Sequence, residues 1–311
     1  MPRQMKLAVF MHGDSNYHSA GWRHPEAYAD AGLSLRRWIE FAQIMERGKL
    51  DMLFIADTIG LPMTHSEETL AQASLVDKFE PLSVLAALSP MTKHIGLVAT
   101  CATTYNQPYN VARILASIDH MSEGRCGWNL VTGGISEDAL HFNLQSHVVH
   151  ADRYAMAEEF ADVCLGLWDS FEDDAIMRDK ASGRYVDVKK IHTLNHQGKF
   201  YSVKGPLSVA RSPQGRPVII QAGQSGRGRR FAARWAEILF VVFPNRDYGL
   251  REYGEIKQAV HDANRDPDKT KILPAVYAIP GETRSMAEDK AAYIDQLAKP
   301  IDALALLSEV L

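Results

Sequence analysis

Asp57 closes the run Phe54–Thr58 (FIADT), where a hydrophobic segment gives way to a carboxylate. An acid at the C-terminal end of a barrel strand faces the mouth and can accept hydrogen bonds from a ligand. The plain alternative is a cap or turn for the next segment. Thr103 and Thr104, and Asn129 with Thr132, stand at the equivalent ends of two later apolar runs. These neutral donors and acceptors suit the edge of a heteroaromatic ring rather than a metal, and they serve equally well as turn residues. Gln221–Gly228 (QAGQSGRG) follows another apolar run and opens a helix. Its small residues let backbone N–H groups approach an anion. Ser225 adds a hydroxyl, and Arg227, Arg229 and Arg230 add positive potential, so a phosphate cradle is expected there. His150 and Tyr154, four apart with Asp152 between them, share one face at the head of a further helix and could clamp a ligand.

Other chemistries find less support. His147 and His150, and His192 and His196, have spacings that suit a metal, but no carboxylate or cysteine completes either set and no His-Glu-x-x-His occurs. No Gly-x-Ser-x-Gly elbow is present, and Cys101 and Cys126 read as strand residues. The Gly-rich turn lacks the Gly-Lys-Ser/Thr ending of a nucleotide P-loop. A barrel carbohydrate hydrolase needs two carboxylates at strand ends, and only Asp57 qualifies.

The elements that must position these groups alternate between short β-rich runs and amphipathic stretches. Strands are expected at 6–10, 50–56, 94–101, 125–132, 217–222, 238–243 and 272–279. Helices are expected near 33–47, 81–88, 109–121, 152–170 and 229–236. In the first helix Leu35, Ile39, Ala42 and Met45 recur at helical spacing, and Gly48 marks its end. Runs without period-2 alternation suit strands covered on both faces, as in a parallel sheet. Seven such strands fit a (β/α)8 barrel better than an open doubly wound sheet, because no Gly-x-Gly-x-x-Gly turn follows the first strand. Residues 133–216 are too many for one crossover and read as an insertion after the fourth strand. They hold the 152–170 helix, a charged segment at 172–190 and a possible hairpin in His196–Val203. A single α/β domain over 1–311 is expected.

Composition narrows the classes. The 311 residues are 46% hydrophobic and 23% charged, with 34 basic against 38 acidic side chains and a net charge of −4. That balance is no footprint for nucleic acid. No apolar run approaches the ~20 residues of a membrane span, and the first residues lack a signal-peptide pattern. Cys101, Cys126 and Cys164 are odd in number and set among apolar neighbours, which suits reduced thiols in a cytoplasmic protein.

Several motifs together resemble a known family. They are His18–Pro25 (HSAGWRHP), Glu46–Asp57 (ERGKLDMLFIAD), Thr103–Arg113 (TTYNQPYNVAR), Asp119–Thr132 (DHMSEGRCGWNLVT), His150–Tyr154 (HADRY), Leu167–Ser170 (LWDS), His196–Leu207 (HQGKFYSVKGPL) and Arg211–Ala233 (RSPQGRPVIIQAGQSGRGRRFAA). From about residue 6 to 300 the chain is similar to the nitrilotriacetate and dibenzothiophene-sulfone monooxygenase branch of the bacterial-luciferase-like flavin monooxygenases. The resemblance implies a TIM-type (β/α)8 barrel and FMN, delivered reduced by a separate NAD(P)H-dependent flavin reductase. It implies O2 as co-substrate, a flavin 4a-(hydro)peroxide, and oxygenation of a small organic molecule. Carried over residue by residue, the flavin contacts are Asp57, Thr103, His150, Tyr154 and Ser225. His18 and Asn129 are placed toward the reactive edge or the substrate, and a homo-oligomer is expected.

This chain departs from the family pattern at three points. It reads His141-Phe142-Asn143 where Asn-Phe-Gly is usual, and Gly133-Gly134 where a Ser commonly follows Val-Thr. Members also extend further, so the eighth strand is expected to be missing from this chain. Two rival expectations follow: a truncated, non-catalytic remnant that binds flavin or a partner chain, and a deazaflavin-dependent oxidoreductase on the same barrel.

Overall fold

The computed structural model describes residues 4–12, 20–61, 66–72, 76–223 and 226–301. Four strands open the fold: β1 (Ala8–Met11), β2 (Met52–Ile55), β3 (Gly96–Ala102) and β4 (Cys126–Val131). Helices α1 (Leu35–Arg47), α2 (Glu67–Gln72), α3 (Pro81–Leu88), α4 (Pro108–Met121) and α5 (His150–Trp168) alternate with or follow them. Between α5 and the next main strand lie two small antiparallel pairs. One joins β5 (Ile176–Asp179) to β6 (Arg184–Val186), the other β7 (His196–Gln197) to β8 (Ser202–Val203). Strand β9 (Val218–Gln221), α6 (Gly226–Trp235), β10 (Ile238–Val241), α7 (Arg246–Asp262), β11 (Lys271–Pro274) and α8 (Arg284–Leu297) complete the series.

The main sheet runs β1-β2-β3-β4-β9-β10-β11, every neighbour parallel. It curls into a nearly closed TIM-type barrel. Phe10 of β1 stacks on Phe240 of β10 across the interior, centroids 5.0 Å apart, and Phe54 meets Phe10 edge-on at 4.9 Å. The pleat separates two cores. Met52, Phe54, Val98 and Ile220 fill the barrel, whereas Leu53, Ile55, Leu97, Ala99, Trp128 and Leu130 pack outward against the helices. Gly127 belongs to the inward row for a steric reason, since a Cβ there would lie 2.8 Å from Val98 Cγ2.

Helix α3 starts where a side chain supplies the missing partners. Glu80 accepts from Leu82 N and Ser83 N, with Pro81 at the first position of α3. At the opposite rim Arg125 donates to the carbonyls of Ser89, Thr92, Ile95 and Ser122 and to Thr92 Oγ1, joining the α3–β3 and α4–β4 connections. Glu159 of α5 receives His196 Nε2 and the amides of Phe200 and Tyr201, which seats the β7–β8 hairpin on the helix. Arg23 Nη1 donates to the Leu297 carbonyl of α8 at 3.2 Å, and His24 meets Tyr293 edge-on at 5.4 Å.

Three expectations need adjusting. In α1 the buried residues are Trp38 and Ala42 while Leu35 is exposed, because the indole of Trp38 sets the inward face. The last strand stops at Pro274 rather than 279. Proline ends the run, and Val276 and Tyr277 beyond it are exposed. The charged segment 172–190 holds the β5–β6 hairpin, whose side chains are largely exposed and so show no alternation.

Candidate active site

Near their C-terminal ends β3 and β4 place polar residues on the inward row. Register places Thr100 of β3 opposite Asn129 of β4, and Asn129 opposite Ile220 of β9. Ala56 and Asp57 follow β2 directly. A cavity of about 350 Å³ opens at these strand ends, with Asp57, Thr100, Asn129, Thr132 and the Gln221–Gly223 turn on its walls. That volume falls within the usual range for small-molecule sites, and this face is where barrels of this type do chemistry.

Asp57 is the dominant ionisable group. Burial pushes its carboxyl up to about 6, Lys78 opposes the rise, and Glu80 and Asp138 add to it. Lys78 donates to the Thr58 hydroxyl. Asp138, also on the cavity wall, accepts from Gly60 N at 2.9 Å. His12, immediately after β1, is held down at about 4, first by burial and then by Lys78, so its ring is neutral at physiological pH. Cys101 is pushed up to about 12 by burial, with Glu80 and Asp57 contributing, which makes it an inert thiol.

Asn129 is 5% exposed and lines the cavity. Its Nδ2 donates to Thr100 Oγ1 at 2.9 Å, and Thr100 in turn donates to the Ile55 carbonyl at 2.9 Å. Asn129 Oδ1 is buried without a partner among the described residues. A buried acceptor left open in a cavity wall fits a ligand N–H. A flavin ring edge carries both N–H donors and carbonyl acceptors, so the donor set suits that group.

Tyr154 reaches the cavity from α5, its ring edge-on to Phe231 of α6 at 5.7 Å and Arg227 lying over it at 5.8 Å. Gly228 keeps this corner tight. A Cβ there would lie 2.9 Å from Tyr154 Oη and 3.1 Å from Gly223 Cα. Arg229 does not join the expected positive face, because it is engaged with Glu252 at 2.7 Å and with Glu255, both on α7.

With this geometry in view, residues 11–308 match the Luciferase-like monooxygenase family. The chain belongs to the luciferase-like monooxygenases. It is 43% identical to the N-acetyl-S-(2-succino)cysteine monooxygenase of Bacillus subtilis (strain 168), over 99% of this chain and 68% of that protein. It is 42% identical to nitrilotriacetate monooxygenase component A of Aminobacter aminovorans, over 99% and 69%. Riboflavin lyase, solved with modified FMN and riboflavin, superposes with a TM-score of 0.92 at 34% identity, covering 97% of this chain and 69% of that one.

In this luciferase-like monooxygenase, Asp57, Asn129 and Tyr154 come together on one cavity. Thr103 sits behind its wall, fully buried, donating to the Val131 carbonyl at 3.3 Å. His150 opens α5, while His18 and Ser225 lie outside the described residues. Sequence reasoning placed Thr100–Thr104 at a strand end but gave Thr100, two residues before Ala102 on the inward row, no role of its own. It missed Asp138, which sits in an irregular stretch with no periodicity to mark it. The described residues include no group of three or more His, Cys, Asp or Glu that could hold a metal, and no helix long and apolar enough to cross a membrane.

Proposed function

We propose that this chain is the oxygenase component of a two-component monooxygenase, taking reduced FMN from a separate NAD(P)H-dependent flavin reductase and using O2 to oxygenate a small organic substrate. The observation that carries the reading is the open Asn129 Oδ1 in a cavity at the strand ends. Relatives around 40% identical that are themselves monooxygenases support it over a deazaflavin-dependent enzyme. The convergence of Asp57, Asn129 and Tyr154 on one cavity favours a working site over a remnant.

Asp57 and Asn129 would hold polar atoms of the flavin ring or ribityl chain, and Tyr154 would pack beside it. The segment Gln221–Gly226, with Ser225 and the amides that open α6, would receive the phosphate. Thr103 supports the wall from behind, and His150 and His18 are assigned to the ligand by the motifs that contain them. Bound reduced flavin supplies the electrons that activate O2. The protein's own contribution is positioning, water exclusion and proton control. The Asp57 carboxyl, half ionised near pH 6, can take up or release a proton beside the ring.

Anaerobic titration of the chain with reduced FMN, followed by mixing with O2, tests this reading. Saturable binding and an oxygenated flavin species outliving that of free flavin are expected. Binding without such a species would instead favour the remnant, and a folded chain that binds no flavin would overturn the proposal.

A further inference from the structure

From the end of β4 onward the cavity wall is built by Val131, Thr132, Gly133 and Gly134. Three consecutive carbonyls of this wall are held by side chains that do not line the cavity. Thr103 Oγ1 donates to Val131, Thr104 Oγ1 to Thr132, and Arg153 Nη1 to Gly133. Gly133 has φ +71°, a left-handed turn that glycine adopts without strain, and the Tyr105 ring packs behind it. The two threonines sit at the end of β3, a fixed scaffold. Arg153 is different, because it reaches back twenty residues from the first turn of α5.

Something must therefore aim the guanidinium, and His147 does so. Arginine only donates, so His147 Nε2 accepts from Arg153 Nη1. The ring proton then sits on Nδ1 and is donated to Tyr105 Oη at 2.7 Å. Tyr105 is itself stacked on Phe142, centroids 4.7 Å apart and planes 14° apart. Burial and the Arg153 charge hold His147 below the ordinary histidine range, with Asp138 opposing, so the ring stays neutral and accepting. The result is one chain of contacts from Phe142 through Tyr105, His147 and Arg153 to the Gly133 carbonyl.

We infer that Arg153 is a positioning residue for the oxygenation: aimed by His147, it fixes the Gly133 carbonyl and with it the wall against which flavin and substrate are seated. The inference rests on the flavin monooxygenase reading above, and its test separates the two.

Oxidised FMN is titrated by fluorescence quenching into the full chain as wild type, Arg153→Met, Arg153→Lys, His147→Phe and the Arg153→Met/His147→Phe pair, each with a thermal melt. Arg153→Met is expected to bind FMN roughly tenfold more weakly, the loss of one charge-assisted bond, while still melting cooperatively. Arg153→Lys should recover part of that loss. His147→Phe should weaken binding in the same direction, and the double variant should be no weaker than Arg153→Met alone, because His147 acts through Arg153. With substrate and reductase present, Arg153→Met should release more peroxide per product formed. Wild-type affinity in folded Arg153→Met overturns the inference. If that variant does not fold, wild-type affinity in His147→Phe does so. Should the wild type bind no FMN, the flavin reading fails. Amide exchange at Gly133 and Gly134 then decides the positioning claim, faster exchange in the variants supporting it and unchanged exchange overturning it.

Discussion

Asn129 and Thr100 lie opposite each other on adjacent strands, and the hydroxyl of one orients the amide of the other. Thr100 gives its proton to Ile55 O, so its oxygen can only accept from Asn129 Nδ2. The amide orientation follows, and Oδ1 is the atom left open to the cavity. Three neighbouring strands, β2, β3 and β4, are thereby linked at the level where a ligand would sit. A preorganised acceptor of this kind costs no rearrangement on binding.

Asp57 should make the chain's stability depend on pH in a defined direction. Its folded pKa is raised to about 6 from 3.8, so the folded state keeps a proton that the unfolded chain has already lost. Stability from the neutral acid is complete below about pH 4 and lost as pH rises through about 6. Asp57→Asn should therefore be more stable than wild type at pH 8, by on the order of 1–3 kcal/mol, and equal to it near pH 4. Urea unfolding at both pH values checks this. An Asp57→Asn variant less stable than wild type at pH 8 would mean Lys78 outweighs burial.

Gly228→Ala sets two effects against each other. Alanine in a helix interior is favoured over glycine by about 1 kcal/mol. The new Cβ would lie 2.9 Å from Tyr154 Oη and 3.1 Å from the Gly223 backbone, and overpacking of this kind costs about 1–3 kcal/mol. The clash should win, lowering Tm and moving Tyr154 off the cavity. Weaker FMN binding would accompany the loss, and a variant with raised Tm and unchanged affinity would contradict it.

Glu159 should make the β7–β8 hairpin acid-labile. Burial disfavours its charge, yet the bonds from His196, Tyr201 and Phe200 outweigh burial and hold the carboxyl below the usual range. A depressed pKa gives stability that is present above the unfolded value and lost as pH falls through the folded one. At neutral pH, Glu159→Gln should open the hairpin by about 1–3 kcal/mol. Faster amide exchange at Phe200 and Tyr201, with α4 unaffected, is the expected signature.

Arg125→Met should cost roughly 3 kcal/mol or more, because it leaves several half-buried carbonyls without a donor. The damage lies at the rim away from the cavity, so chemical denaturation should register it while the FMN affinity of the remaining folded protein stays near wild type.

Much of the barrel was legible because its strands are covered on both faces. Met52–Ile55 is buried at every position, and such a run stands out without any alternation. Helix α3 was bounded correctly because Glu80 and Pro81 are a cap and a first-turn residue in their usual order. The site was half legible for the same reason. Asp57 ends a buried run and Asn129 lies within one, whereas Asp138, His147 and Arg153 come together only through the irregular path between β4 and α5. Nothing in sequence spacing encodes that path. The role expected of Arg229 failed because its partners, Glu252 and Glu255, stand on a later helix.

The bond from Arg23 to the Leu297 carbonyl joins residues 274 positions apart. At a synthesis rate of about 5–20 residues per second, a growing chain waits roughly 15–55 s between making the first and the second. Closing so long a loop adds little to the equilibrium cost but delays the contact until α8 has been made. As the polypeptide leaves the ribosome, the turn that holds Arg23 thus waits for α8 before this contact can form.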